Sequence, residues 1–336
     1  MGRPRRRLAM PSALLPLLAL PAAARAGQPA DQASIWTFQV ENDAVSTLQG
    51  TSDQYYTSGL RLGWTSGQDQ LPDSLAGVGR MLWGDGHQRV SIDISQSIFT
   101  PRDTQISPPN PNDRPYAGWL NATFSLLHDT QTTQDSLGIS LGWIGPGALG
   151  EEVQNGFHHL IGDTPNKGWS YQLKNEPAIE AYGQHTWRLP IVSFAGLETD
   201  ALPGATIGIG TVRDYVQAST LLRIGQGLTS DFGPARIMPG INGSDAFTTV
   251  RPIAWYIFGG GDGQAVAHDE FIEGTSFRAP SPSVPLVWYV GEIEAGVAVI
   301  WHGVRLSYTQ TWQTQEFRGQ KGGLFNFGSF ALSARF

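Results

Sequence analysis

The chain contains no cysteine, so no disulfide framework supports its fold. Charged residues make up only 15% of it. Beyond residue 26 no run of about 18 or more apolar residues occurs, which argues against a helical membrane protein. Basic charge is scarce as well. The first 26 residues hold five of the 22 basic side chains and no acid, leaving 17 against 29 and a net charge of −12. Such a chain has no electrostatic reason to bind nucleic acid, although it could recruit divalent cations.

What is present begins with a basic head, Arg3, Arg5, Arg6 and Arg7, an apolar run from Ala13 to Ala24, and Ala24-Arg25-Ala26. This is the pattern of a secretory signal peptide cut after Ala26. Residues 1–26 are therefore read as the signal and 27–336 as one exported domain. Glycine is abundant, at 41 residues, and there are 11 tryptophans, which suits strands joined by turns with many interfacial aromatics.

From Trp36 to Trp64 two flanks alternate around a polar loop. Trp36, Phe38 and Val40 oppose Thr37, Gln39 and Glu41, and later Leu60, Leu62 and Trp64 alternate with Arg61 and Gly63. Period-two alternation marks strands with two unlike faces. Further strands are predicted over 90–99, 114–126, 137–144, 175–189, 197–212, 214–228, 247–270, 284–300, 303–317 and 324–336. Segments of about ten residues, with long and short connections taking turns, predict an all-β fold, a twelve-stranded antiparallel transmembrane β-barrel. Within the loop 145–174, helical spacing over 148–161 (Leu149, Val153, Phe157 and Leu160 on one side) predicts a short helix in an extracellular loop, ended by Gly162. Gln154 and His158, four apart, share a face of it. The alternating last strand ends on Phe336, like the assembly signal of outer-membrane barrels.

An even-stranded barrel has both termini on the periplasmic side. Asn42, Asp43, Thr57, Arg114 and the helix of His158 then meet at the external rim. The segments VENDAV, DQYYTSGLRLGW, DRPYAGWL and GEEVQNGFHHLIG resemble those of the outer-membrane lipid A 3′-O-deacylases, the LpxR family. The likeness is strong over residues 38–176 and weaker over 190–320. It implies a Ca²⁺-dependent esterase that removes the 3′-linked acyloxyacyl chain of lipid A in lipopolysaccharide at the outer leaflet. On this resemblance Asn42 and Asp43 match the family's Asn-Asp pair, Thr57 its Thr or Ser, and Gln154 and His158 the Gln and His of its loop helix. The loop 100–113 departs from the family pattern. Basic residues expected there for substrate phosphates are reduced to Arg102.

The residue types suit ester hydrolysis, which needs a base and an electrophile for the carbonyl oxygen. His158 is the candidate base, acting on water, with Gln154 orienting the water or the ring. Asp43 and Asn42 offer hard oxygen donors to Ca²⁺, and Thr57 a hydrogen bond nearby. The expected partners are lipid A and outer-membrane lipids, with the protein a monomer. Competing readings are an outer-membrane phospholipase and a catalytically inactive barrel or pore. Plainer roles are expected elsewhere: Asp53 and Arg114 as a rim salt bridge, and Tyr55, Tyr56, Tyr116 and Trp119 as aromatic girdle. Glu151 and Glu152 suit a helix first turn, and His128, His159, His185 and His302 the surface or turns.

Overall fold

The computed structural model describes residues 30–45, 53–240 and 243–336. The expected signal peptide lies outside them. The strands are β1 (Ile35–Asn42), β2 (Tyr55–Thr65), β3 (His87–Thr100), β4 (Ala117–Asp129), β5 (Thr133–Ile144), β6 (Glu176–Trp187), β7 (Leu189–Phe194), β8 (Leu197–Gly210), β9 (Arg213–Gln226), β10 (Ile253–Asp269), β11 (Tyr289–Trp301), β12 (Val304–Gln313) and β13 (Phe325–Arg335). Each pairs antiparallel with its neighbours, β1 with β13 among them. The segments β6 and β7, interrupted at Arg188, both pair with β8 and make one stave. Twelve staves therefore close into a barrel, as expected. The strand ends differ by a few residues from the sequence reading; the fourth begins at Ala117, and the ninth stave at Ile253 instead of 247.

Alternation decides which way each side chain points. In β1, Thr37, Gln39 and Glu41 are buried in the lumen while Trp36 and Phe38 face outward, about half exposed at 48% and 53%. Ile92, Ile94, Leu141, Ile209 and Ile293 continue this apolar outer surface, which lipid covers in a membrane barrel. The lumen is packed with ion pairs. Arg61 meets Asp93 at 3.2 Å and Asp245 at 2.8 Å, and Arg223 lies 2.7 Å from both Asp200 and Asp231. Charges taken from water need such partners.

The predicted girdle does not include the four aromatics assigned to it. Tyr55, Tyr56 and Tyr116 are fully buried, and Trp119 lines a lumen cavity of about 190 Å³. Their position in the strand pleat turns them inward or under a loop, whatever their residue type. Tyr55, Tyr56, Phe99, Phe271, Phe317, Phe325 and Phe327 form an apolar cluster over the external end of the lumen. It includes α3 (Glu270–Glu273) from the β10–β11 loop.

Two elements on the periplasmic side were not foreseen. Helix α1 (Asp73–Trp83) joins β2 to β3, and the described parts of the long β9–β10 connection, residues 227–240 and 243–252, fold back into the lumen.

Candidate active site

The site lies on the outer face of the barrel wall. In β3 the outward residues Ile92 and Ile94 are exposed, yet Ile98 and Thr100, which point the same way further up, are buried. The helix α2 (Gly150–Ile161) covers them. Gln96 Nε2 donates to Ala148 O at 2.6 Å, and Ile98 packs with Tyr116, Trp169 and Val153. Gly118 permits the close approach, since a Cβ there would sit 3.2 Å from both Ala148 Cβ and Gly150 N. Leu149, left-handed at φ 59°, precedes α2, and Gly162 at φ 76° ends it with its N–H directed at His158 O and His159 O.

The helix spacing is as predicted, and the structure decides which face meets the wall. Gly150, Gln154 and His158 face the wall, while Phe157, Leu160 and Ile161 are exposed on the outer edge. A helix laid against the outside of a barrel has lipid, not core, on its far side, so its apolar edge turns outward.

Beneath α2 a β-bulge in β2 breaks the register between Tyr56 and Ser58 and leaves Thr57 as the extra residue. Thr57 Oγ1 lies 2.8 Å from Thr100 Oγ1. Gln154 Oε1 accepts from Trp169 Nε1 at 2.8 Å, and its buried Nε2 has no partner. His158 is held on both sides. Its Nδ1 is 2.9 Å from Thr164 O, and its Nε2 is 2.9 Å from Asp53 Oδ2. The Thr164 carbonyl only accepts, so Nδ1 carries a proton; the Asp53 carboxylate is likewise an acceptor, so Nε2 becomes available as a base only when that contact opens. Asp53 Oδ2 also accepts from Asn166 Nδ2 at 2.7 Å.

Asp43, in the 3₁₀ turn after β1, is buried. Its Oδ2 accepts from Gln54 N at 2.8 Å, and its Oδ1 has no hydrogen-bond partner. Burial, reinforced by the nearby Asp53 carboxylate, pushes the Asp43 carboxyl up to about 8. Asn42 Oδ1 accepts from Ala44 N at 2.7 Å and shapes the turn. The adjacent residues Asp53 and Gln54 thus tie His158 and Asp43 together. An unsatisfied buried carboxylate oxygen beside a second carboxylate fits a hard cation. No set of three or more His, Asp or Glu side chains converges on a metal position among the described residues. Further donors would be Asn42, backbone carbonyls or substrate oxygens.

The five residues singled out by sequence therefore lie at one end of the molecule, around one helix. Asp53 was misassigned. It pairs with His158, whereas Arg114 turns into the lumen, where its Nη1 meets Glu316 Oε2 at 2.5 Å and its guanidinium lies 4.4 Å from the centre of the Phe99 ring. The wall separates the two expected partners. Thr100, Asn166 and Trp169 were not foreseen. Asp53 alone had a signal, its place four residues before Thr57 in DQYYT.

No curated protein matches the sequence. LpxR from Salmonella typhimurium superposes with a TM-score of 0.73 at 21% identity, over 90% of this chain and all of that one. The β domain of the Bordetella autotransporter BrkA gives only 0.45 at 9% identity, over 91% of this chain and all of that one. The first likeness shows a shared barrel fold. The family described as "Outer membrane protein LpxR" matches residues 10–336, nearly the whole chain, and this protein belongs to that family of the bacterial outer membrane.

Proposed function

We propose that the protein is a carboxylic ester hydrolase of the outer membrane, removing the 3′-linked acyloxyacyl chain of lipid A at the outer leaflet. One observation carries the reading: His158 is clamped between Thr164 O and Asp53 on the outward side of the wall. A substrate held in the membrane can enter there from the side.

Thr164 O fixes the tautomer, leaving His158 Nε2 to take the proton of an attacking water. In the described arrangement Asp53 occupies Nε2, so an entering ester and water displace that contact. Asp53 then stays beside the ring and stabilises the imidazolium that forms. Gln154 Nε2, buried and unpartnered, is available to donate to the water or the substrate carbonyl. Asp43, with Asn42, would hold Ca²⁺, which when bound supplies a positive charge for the carbonyl oxygen. Thr57 supports the wall below through Thr100. Lys167, exposed and paired through its N–H with Thr104 O at 3.0 Å, adds a cation beside the loop of Arg102, which suits a phosphorylated headgroup.

Purified protein in detergent, given lipid A, is expected to release the 3-acyloxyacyl acid with Ca²⁺ and not with EDTA. A folded barrel that releases nothing in either condition overturns the reading. The sparse basic charge of loop 100–113 favours a second substrate class, glycerophospholipid, and mass spectrometry of products from mixed envelope lipids separates the two.

A further inference from the structure

We infer that the described residues 227–240 and 243–252 form a plug that closes the lumen from the periplasmic end and, through Glu41, sets the position of Asn42 and Asp43 on the outer face; the second half rests on the function proposed above.

Strands β9 and β10 are hydrogen-bonded neighbours, with Gln226 opposite Trp255, so a tight turn would join them. The chain instead climbs inside the barrel. At its base Leu228 and Phe232 pack on Leu202, Leu221, Tyr256 and Phe258. Asp231 takes Arg223 at 2.7 Å and Arg305 at 3.1 Å, and Asp245 takes Arg61 at 2.8 Å. At its tip Arg236 sits between Glu292 and Glu294, at 2.9 and 3.1 Å. Gln264 Nε2 donates to Pro239 O at 3.2 Å, and Met238 joins the apolar cluster over the external end.

The tip is also tied to the strand that carries the site. The N–H groups of Ile237 and Met238 donate to the two oxygens of Glu41 at 3.0 and 3.1 Å, and Tyr56 Oη donates to Glu41 at 2.9 Å. Glu41 immediately precedes Asn42 and Asp43, and Tyr56 precedes the bulged Thr57. One lumen carboxylate therefore fixes the external ends of both β1 and β2. A shift of about 1 Å at such a support can lower turnover about 100-fold.

Arg236→Met removes the guanidinium from among Glu41, Glu292 and Glu294, and their repulsion should expel the tip. Wild type should show almost no conductance in planar bilayers and the variant discrete channels. Because the chain has no native cysteine, spin labels at Ala44→Cys and Phe157→Cys, both exposed, report the loop-to-helix distance. The variant should broaden that distribution and lower kcat about tenfold, with KM changed less than about twofold. In the unlabelled Arg236→Met protein, Pro239→Cys and Gln264→Cys bridged by a short thiol cross-linker should restore both the closed lumen and kcat. Should Arg236→Met lose the heat-modifiable migration of a folded barrel, Glu41→Gln takes its place, with the same broadening expected. A conducting wild type overturns the plug. Channels in the variant with an unchanged label distribution overturn the positioning role. Should wild type hydrolyse no lipid, the proposed function fails, and the label distances still decide whether the plug holds the site.

Discussion

The same barrel wall separates two polar regions that handle their acids differently. In the lumen, carboxylates meet guanidinium groups: Asp93 and Asp245 with Arg61, Asp200 and Asp231 with Arg223, Glu316 with Arg114. On the outer face, among the described residues, Asp43 forms no ion pair, and Asp53 meets the imidazole of His158 and the amide of Asn166 instead of a guanidinium. Arginine stays protonated in any accessible pH range, so a carboxylate paired to it is fixed in charge and place. An imidazole can give up its proton, and an unmatched carboxylate oxygen can accept a cation. The lumen pairs hold the barrel in shape, and the outer-face groups retain the freedom that chemistry requires.

The comparison breaks first if substitutions on the two sides of the wall have the same consequence. His158→Ala should lower 3-acyloxyacyl release about 1,000-fold, and Asp43→Ala should abolish it, both without changing heat-modifiable migration on gels. Arg223→Ala, in contrast, leaves Asp231 with Arg305 and Asp200 with the more distant Arg188 in the lumen. It should destabilise the barrel by about 3–5 kcal/mol in urea unfolding, while the folded fraction keeps its specific activity. An Arg223→Ala barrel that loses turnover at full stability would erase the distinction; Arg236, at the tip tied to Glu41, is the lumen position expected to reach the site.

What the sequence made legible follows the same division. Alternation alone assigned Thr37, Gln39 and Glu41 to the face opposite Trp36 and Phe38, because the pleat leaves no other choice. The spacing of Gln154 and His158 put both on one helical face. It could not say which face meets the barrel, since that depends on lipid lying beyond Phe157 and Leu160. The pairing of Asp53 with Arg114 failed because sequence shows the external end of each strand but not the wall between the residues there. The plug was invisible for a different reason. Residues 229–246 have no strand or helix period, and Asp231, Arg236 and Asp245 acquire meaning only from the lumen residues they meet.

A finer test concerns Asp53, the outer-face acid whose partner can titrate. Asp53→Asn keeps a hydrogen-bonding group beside His158 Nε2 but removes the charge that stabilises an imidazolium. Turnover should fall about tenfold, equivalent to about 1.4 kcal/mol, and the acid limb of the pH–rate profile should shift. A profile identical to wild type would reduce Asp53 to a spacer in the loop.

The smallest effect concerns a third arrangement, acid against acid, in the external cap. Glu270 of α3 and Glu176 at the start of β6 are both fully buried, and the Ser276 N–H is directed at Oε1 of each, at 3.0 Å to Glu176 and 3.3 Å to Glu270. Burial first, and then the hydrogen bond and charge of Glu176, push the Glu270 carboxyl up to about 9. A raised carboxylate keeps its proton in the fold while the unfolded chain releases it in the ordinary carboxylate range. Stability from the pair is therefore complete at low pH and is lost steadily as pH climbs from that range to about 9. Glu270→Gln holds its hydrogen at every pH. It should be nearly neutral at pH 4 and stabilise by about 1 kcal/mol or more at pH 9, read as urea midpoints at the two pH values. Equal shifts at both would mean that the two carboxyls share no proton.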